Sequence, residues 1–331
     1  MKKYIAVVIL AVMGTASLFF TRERSEYQTV SGDVWTTQYH ITFLAATDNH
    51  LADSVRAILG DVDMSVSPFN PKSRISEINT GKTGETDSRF RRLYNASLQV
   101  NRESGGAFDP TVMPLVNAWG FGYKKGALPT QAQIDSILSF VGLSKTRLAG
   151  SKIVRDDERT QFDFSSIAKG LACDEVGEML LRNGVEHFLV EIGGEVVAHG
   201  ENERGEPWHI SVDMPEDNLQ HRSALVLPLS DKAVATSGNY RRYKEVDGKR
   251  VSHIVNPHTG HAEESSLLSV TIVAPDCMTA DAWATACMAM GAERAHALME
   301  RRSDIAAMTI STDSAGNYIA WSNAAFANLL P

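Results

Sequence analysis

The chain opens with a pattern that does not recur. Lys2 and Lys3 precede an apolar run from Tyr4 to Phe20, and Arg22 and Arg24 follow it. A basic start before an apolar stretch of about 17 residues is the pattern of an export signal or a short membrane anchor. No cysteine lies near, which excludes a lipoprotein anchor. Residues 1–21 are read as a signal peptide or N-terminal membrane anchor, 22–31 as a polar linker and 32–331 as the globular domain. Beyond the linker the hydrophobic period alternates between two and about 3.6. Val34–Phe43 alternates and predicts a strand. Leu51, Val55, Ile58, Leu59 and Val62 share a helical face. Thr86 or Asp87 caps a second helix to about Glu103, and Thr130 with Gln133 forms a capping box for a helix to Phe140. Residues 168–183 form another helix, stopped by Gly184.

Phe188–Ile192 reads as a buried strand ending at Gly193-Gly194. Strands are expected near 208–213, 224–229, 251–255 and 267–274, then a helix from Thr279 to Met290 that ends at Gly291. A shorter helix and strands at 305–310 and 317–321 close the chain. The elements mix without a regular βαβ period, so the fold class is α+β rather than a doubly wound parallel sheet.

Composition changes this picture in three ways. With 43% hydrophobic residues the domain can bury a large core. A net charge of -8 argues against a nucleic-acid partner. It also means that an anionic ligand needs a local positive device, such as a bound cation. Cys173, Cys277 and Cys287 are too few for a disulfide framework and lack metal spacing, so they read as small buried side chains.

Candidate chemistry falls in a few segments. Asp281 and Thr285 lie one turn apart on one helix face, where their oxygens suit a hard cation such as Mg²⁺. The same spacing also arises from a helix-start aspartate and a threonine bonded back to its helix. Asp163–Gly170 reads as a strand end, two serines and a helix start bearing Lys169, either an anion site or a plain capped turn. Gly105–Thr111 is turn-rich and sets Phe108 beside Asp109, and Ala235–Arg242 is a polar loop ending in two cations. His253 and His258 share a turn, and His253 is a base, a ligand or a structural residue. No GxSxG, HExxH or GxGxxG motif is present.

Taken in order, these segments resemble the ApbE family of flavin transferases over about residues 32–322. The resemblance is carried by Met64–Asn79 with its serines, Gly106–Val112 with Pro114–Val116 and Trp119–Gly122, and Asp163–Gly170 with Asp174. Val190–Glu195, Thr236–Gly238, His253–Gly260 and Ala280–Thr285 complete it. The resemblance implies a single T-fold-like domain with mixed sheets and flanking helices that binds FAD and Mg²⁺. It implies an enzyme that moves FMN from FAD to a threonine or serine of a partner redox protein, releasing AMP. The alternatives are an FAD pyrophosphatase giving FMN and AMP, or a flavin-binding protein without turnover.

By position, Asp281, Thr285 and the main chain of Ser166 match the family's metal site. Phe69, Ala107, Phe108, Asp109, Asp163, Lys169 and Ile254 match its FAD contacts, with Phe108 expected to stack on a ring of the ligand. Trp35 stands where the family often has a methionine against the flavin. His253 matches a histidine near the reacting phosphates, and His253 and Asp281 are the candidate proton acceptors. The expected partners are FAD, a membrane redox-complex subunit carrying a flavinylation motif, and the inner membrane through the N-terminus. The domain is expected on the periplasmic side.

Overall fold

The computed structural model of the chain describes residues 25–46, 50–123, 128–215, 223–239, 243–246, 249–262 and 266–330. Its strands are β1 Ser25–Val34, β2 Thr37–Ala46, β3 Thr146–Ala149, β4 Lys152–Arg155, β5 Phe188–Ile192, β6 Glu195–His199 and β7 Trp208–Asp213. They continue with β8 Ser223–Leu229, β9 Lys232–Gly238, β10 Tyr243–Val246, β11 Lys249–Ser252, β12 Leu267–Ala274, β13 Ala306–Thr312 and β14 Tyr318–Ser322. The helices are α1 Leu51–Val66, α2 Arg74–Asn79, α3 Ser88–Glu103, α4 Met113–Ala118, α5 Gln131–Leu138, α6 Ala168–Arg182, α7 Cys277–Met290, α8 Ala292–Met299 and α9 Ala324–Ala327.

An eight-stranded antiparallel sheet in the order β1-β2-β5-β6-β9-β12-β13-β14 organises the domain. The period of two sorts each strand's side chains between its faces. Tyr39, Ile41 and Phe43 of β2, Phe188, Val190 and Ile192 of β5, and Ala233 and Ala235 of β9 pack under α1, α6 and α7 in the main core. Val196 and Ala198 of β6 and Val234 of β9 point the other way, against Trp208, Ile210 and Leu227 of the β7–β8 hairpin. Each fully buried Val, Leu, Ile or Phe contributes about 1.5–3 kcal/mol. A smaller cluster of Leu115, Ile134, Val141, Val255 and Ala262 joins α4 and α5 to the 253–262 loop.

Strand register brings three features to one end of the sheet. These are the Trp35-Thr36 turn of the β1–β2 hairpin, the Gly193-Gly194 turn between β5 and β6, and the C-terminal end of β9. The Gly193 N–H donates to the Gln38 carbonyl at 2.9 Å, tying the first two together. Trp35 has φ 53, in the left-handed region that a two-residue hairpin turn uses and a bulky residue rarely adopts.

The α+β class is as expected, and most predicted elements are present. Asp87 caps α3 by accepting from the Phe90 N–H, and Thr130 with Gln133 forms the capping box of α5. The linker assignment for 22–31 is corrected: from Ser25 onward it is β1, a full edge strand paired with β2. Its sequence is polar because it is an edge strand whose side chains are exposed or half-buried, so no apolar alternation marks it. The strand expected at 251–255 ends at Ser252, and Val255 forms only an isolated bridge to Ala262. Helix α7 starts at Cys277, two residues earlier than read, because Asp276 caps it. Residues 1–24, with the leader and the first linker residues, and Arg241 and Arg242 lie outside the described residues. Among the described residues, no helix is long and apolar enough to cross a membrane.

Candidate active site

The site is built where α6 and α7 cross over the start of β6 and the end of β9. Gly170, in the first turn of α6, lets the two helices touch backbone to backbone. A Cβ on it would lie 2.5 Å from the Cys277 carbonyl oxygen and 2.7 Å from the Met278 Cα, so a larger residue enters only if the two helices move apart. The contact lets the Gly170 N–H donate to Asp281 Oδ2 at 3.1 Å. Asp174, one turn further along α6, accepts from the Cys277 and Met278 N–H groups at 2.8 and 2.9 Å and so fixes the start of α7. Asp281 is therefore not the helix cap. That role belongs to Asp276 and Asp174, which leaves Asp281 as a buried carboxylate aimed at the beginning of α6.

The same alternation that builds the core delivers two further groups. Glu195 and Val197 take the helix-facing side of β6, opposite to Val196 and Ala198. Glu195 is only 3% exposed, and its Oε1 pairs with Lys169 Nζ. Its Oε2 is buried with no hydrogen-bond partner. Ser237, on the helix-facing side of β9, shares a hydrogen bond of 3.2 Å with the Thr285 hydroxyl, one turn beyond Asp281 on α7. Asp281, Thr285, Lys169, Gly170, Glu195 and Ser237 are thereby assembled. Ser166 stands four residues before Gly170.

Burial sets the electrostatics. It pushes Asp281 above the usual carboxylate range, opposed by Lys169 and the Gly170 N–H. Burial likewise raises Glu195; Lys169 opposes the rise and the Asp281 charge adds to it. Burial pulls Lys169 down, but Glu195 and Asp281 outweigh it and hold its ammonium above the ordinary lysine value. Two carboxylates thus share one ammonium, leaving an excess negative charge when all three are ionised.

The assembled oxygens are the carboxylates of Asp281 and Glu195 and the hydroxyls of Thr285 and Ser237, hard oxygens that suit a hard divalent cation such as Mg²⁺. Among the described residues, no group of three or more His, Cys, Asp or Glu side chains could hold a metal. An ion here would therefore rest on no more than two carboxylates, with neutral oxygens beside them.

Several of the other predicted residues lie on loops that adjoin one another. Asn79 donates to the Phe162 carbonyl at 2.8 Å and accepts from its N–H at 2.7 Å, clamping the segment that leads to Asp163 and α6. The Asp163 N–H donates to the Pro110 carbonyl at 2.7 Å, and its carboxylate accepts from the Ser165 N–H at 2.8 Å. Burial pushes Asp163 upward, and the Ser165 bonds oppose this. His258 Nε2 donates to the Gly105 carbonyl at 2.9 Å and packs where a Gly106 side chain would otherwise stand. His253 is half-buried with its ring edge-on to Phe121 at 6.4 Å, and Ile254 packs against the main core. Trp35 and Phe69 present aromatic surface, 37% and 59% exposed.

The expectation that Phe108 stacks on a ligand changes. Phe108 is 2% exposed and belongs to the main core, so its ring offers no face for stacking on a ligand; neighbouring Ala107 is also buried. Asp109 works inside the protein: it accepts from the Thr111 N–H and hydroxyl at 2.8 and 2.6 Å and from the Leu143 N–H at 2.9 Å. Sequence reasoning did not single out Glu195, Ser237 or the Gly170 N–H. The available signal was a glutamate straight after Gly193-Gly194 and immediately before the apolar run Val196, Val197 and Ala198.

A model of the ApbE family matches residues 35–309. The FAD:protein FMN transferase of Haemophilus influenzae is 32% identical over 344 residues, covering 99% of each chain. That of Vibrio cholerae is 33% identical over 293 residues, 86% of this chain and 87% of the relative. Among solved structures, the flavin transferase ApbE from Vibrio cholerae superposes with a TM-score of 0.84 at 30% identity, covering 92% of this chain and all 100% of that one. The apo form of Pseudomonas stutzeri flavinyl transferase ApbE gives a TM-score of 0.83 at 32% identity, with 92% and 97% covered.

Proposed function

The chain belongs to the ApbE family, and from that premise we propose that it is an FAD:protein FMN transferase that moves FMN from FAD to a threonine or serine hydroxyl and releases AMP. The observation that supports this best is the convergence of Asp281, Thr285, Lys169 and the Gly170 N–H where α6 and α7 cross. Asp281, Thr285 and the main-chain carbonyl of Ser166 would hold Mg²⁺, which when bound supplies charge neutralisation for the pyrophosphate and its leaving group. Lys169 gives a charge-assisted hydrogen bond to a phosphate oxygen and orients the pyrophosphate. Trp35 and Phe69 offer their exposed faces to the ring systems of FAD. The acceptor hydroxyl oxygen forms a bond to the FMN phosphorus as the bridging P–O bond to AMP breaks. The hydroxyl proton passes to His253 or Asp281. Positioning and fixed charge supply most of the rate, as in other phosphoryl transfers.

The basic and apolar N-terminal residues support a domain held on the periplasmic side of the inner membrane. A membrane redox subunit with an exposed threonine or serine is then the acceptor. The test is incubation with FAD, MgCl₂ and an acceptor domain, followed by mass spectrometry. Covalent FMN on the acceptor supports the transferase. Free FMN and AMP beside an unmodified acceptor would make the protein a pyrophosphatase, and absence of turnover would make it a flavin-binding protein.

A further inference from the structure

We propose that Glu195 is a positioning residue that holds the Lys169 ammonium away from Asp281 and so keeps the Asp281 carboxylate available to a divalent cation. This rests on the reading that Asp281 is the charged ligand of such an ion.

Lys169 lies within the field of both carboxylates. Its ammonium makes its ion pair with Glu195, while Asp281 Oδ2 takes a main-chain N–H from Gly170. A lysine is a flexible point charge that turns toward whichever anion is nearest. Without an anion at 195, Asp281 becomes the dominant partner for the ammonium, and an ammonium seated there competes directly with a cation. Glu195 is well suited to prevent this. It is anchored on a strand rather than a loop, 3% exposed, on the helix-facing side of β6 immediately after the Gly193-Gly194 turn. Its second oxygen is sealed from solvent and unpartnered, a costly arrangement for a carboxylate. The carboxylate therefore acts through Lys169, and its ion pair with that ammonium is what favours its charged form there. Lys169 retains an exposed fraction, so the same ammonium can still reach a phosphate oxygen.

The test is calorimetric titration of MgCl₂, and of MnCl₂ as a second probe, into the protein without FAD. Thermal melts check that each variant is folded. Glu195→Gln keeps the shape and removes the charge; it should weaken cation binding by about 10- to 100-fold, the usual cost of losing a residue that orients a metal ligand. Lys169→Met in the Glu195→Gln background removes the competitor and should bring affinity back to within a few-fold of the parent. Lys169→Met alone should bind the cation at least as tightly as the parent.

If the double variant stays as weak as Glu195→Gln, Glu195 is itself a ligand or a purely structural residue, and the proposal fails. It fails as well if the parent protein binds neither cation. Should Glu195→Gln not fold, weaker binding by Lys169→Met overturns it independently. Because no titration contains FAD or acceptor, failure of the transferase reading in the mass-spectrometric experiment is a separate result.

Discussion

Gly60 and Gly170 both lie within helices, yet replacement by alanine should move stability in opposite directions. Helix propensity alone favours alanine by about 1 kcal/mol at either position. At Gly60 in α1, a new Cβ meets nothing within 4 Å, so propensity decides and Gly60→Ala should gain about 0.5–1 kcal/mol. At Gly170 the new Cβ would sit 2.5 Å from the Cys277 carbonyl oxygen and 2.7 Å from the Met278 Cα. These are backbone atoms and cannot rotate aside, so α6 and α7 must separate. Overpacking of this kind costs about 1–3 kcal/mol. Separation also stretches the Gly170 N–H bond to Asp281, and a hydrogen bond to a charged group contributes about 1.5–3 kcal/mol.

Less the propensity gain, Gly170→Ala should lose roughly 2–5 kcal/mol. At about 2 °C per kcal/mol for a chain of this size, its Tm should fall by roughly 4–10 °C, while Gly60→Ala rises by roughly 1–2 °C. Differential scanning calorimetry of the three proteins without ligands is the assay. A Gly170→Ala variant that melts at or above the parent would refute the close crossing of α6 and α7.

Asp281→Ala should reduce FMN transfer on the order of 100-fold or more while α7 keeps its start, because Asp276 and Asp174 cap it. A variant that transfers FMN at the parental rate in Mg²⁺ would remove Asp281 from the site. Phe108→Ala should lose about 3–5 kcal/mol in urea unfolding, as a core ring does, and leave the FAD affinity of the folded protein unchanged in fluorescence titration; parental stability with lost affinity would restore the ring to the ligand. All three thiols should resist iodoacetamide at pH 8 until the chain is unfolded, since each is buried and burial pushes the Cys287 thiol up to about 12; labelling of the native protein would contradict their burial.

What could be read from the residues depended on how strongly each element is marked by its core. Helices α1, α3, α5 and α6 carry apolar stripes, α3 and α5 add side-chain caps, and strands such as Phe188–Ile192 are apolar enough to stand out. Strand β1 escaped because its side chains reach no deeper than half-burial. The short β3–β4 hairpin is bounded by polar ends and carries too few residues to show a period. The pairing of Asp281 with Thr285 follows from helical spacing, but the partners across from them do not. Glu195 and Ser237 arrive from strands about 85 and 48 residues away, through sheet register that no local pattern encodes. Phe108 shows the converse error. An aromatic beside a carboxylate in a turn suggests a ligand contact, yet a ring at the edge of a large core is buried by default.

The direction of β1 has a spatial consequence. The strand begins at Ser25 and delivers the chain, ten residues later, to the Trp35 turn at the end of the sheet that carries the site. At about 3.3 Å per residue this is a rise of roughly 33 Å. Ser25 therefore lies at the opposite end of the sheet from the Trp35-Thr36 and Gly193-Gly194 turns that border the candidate site.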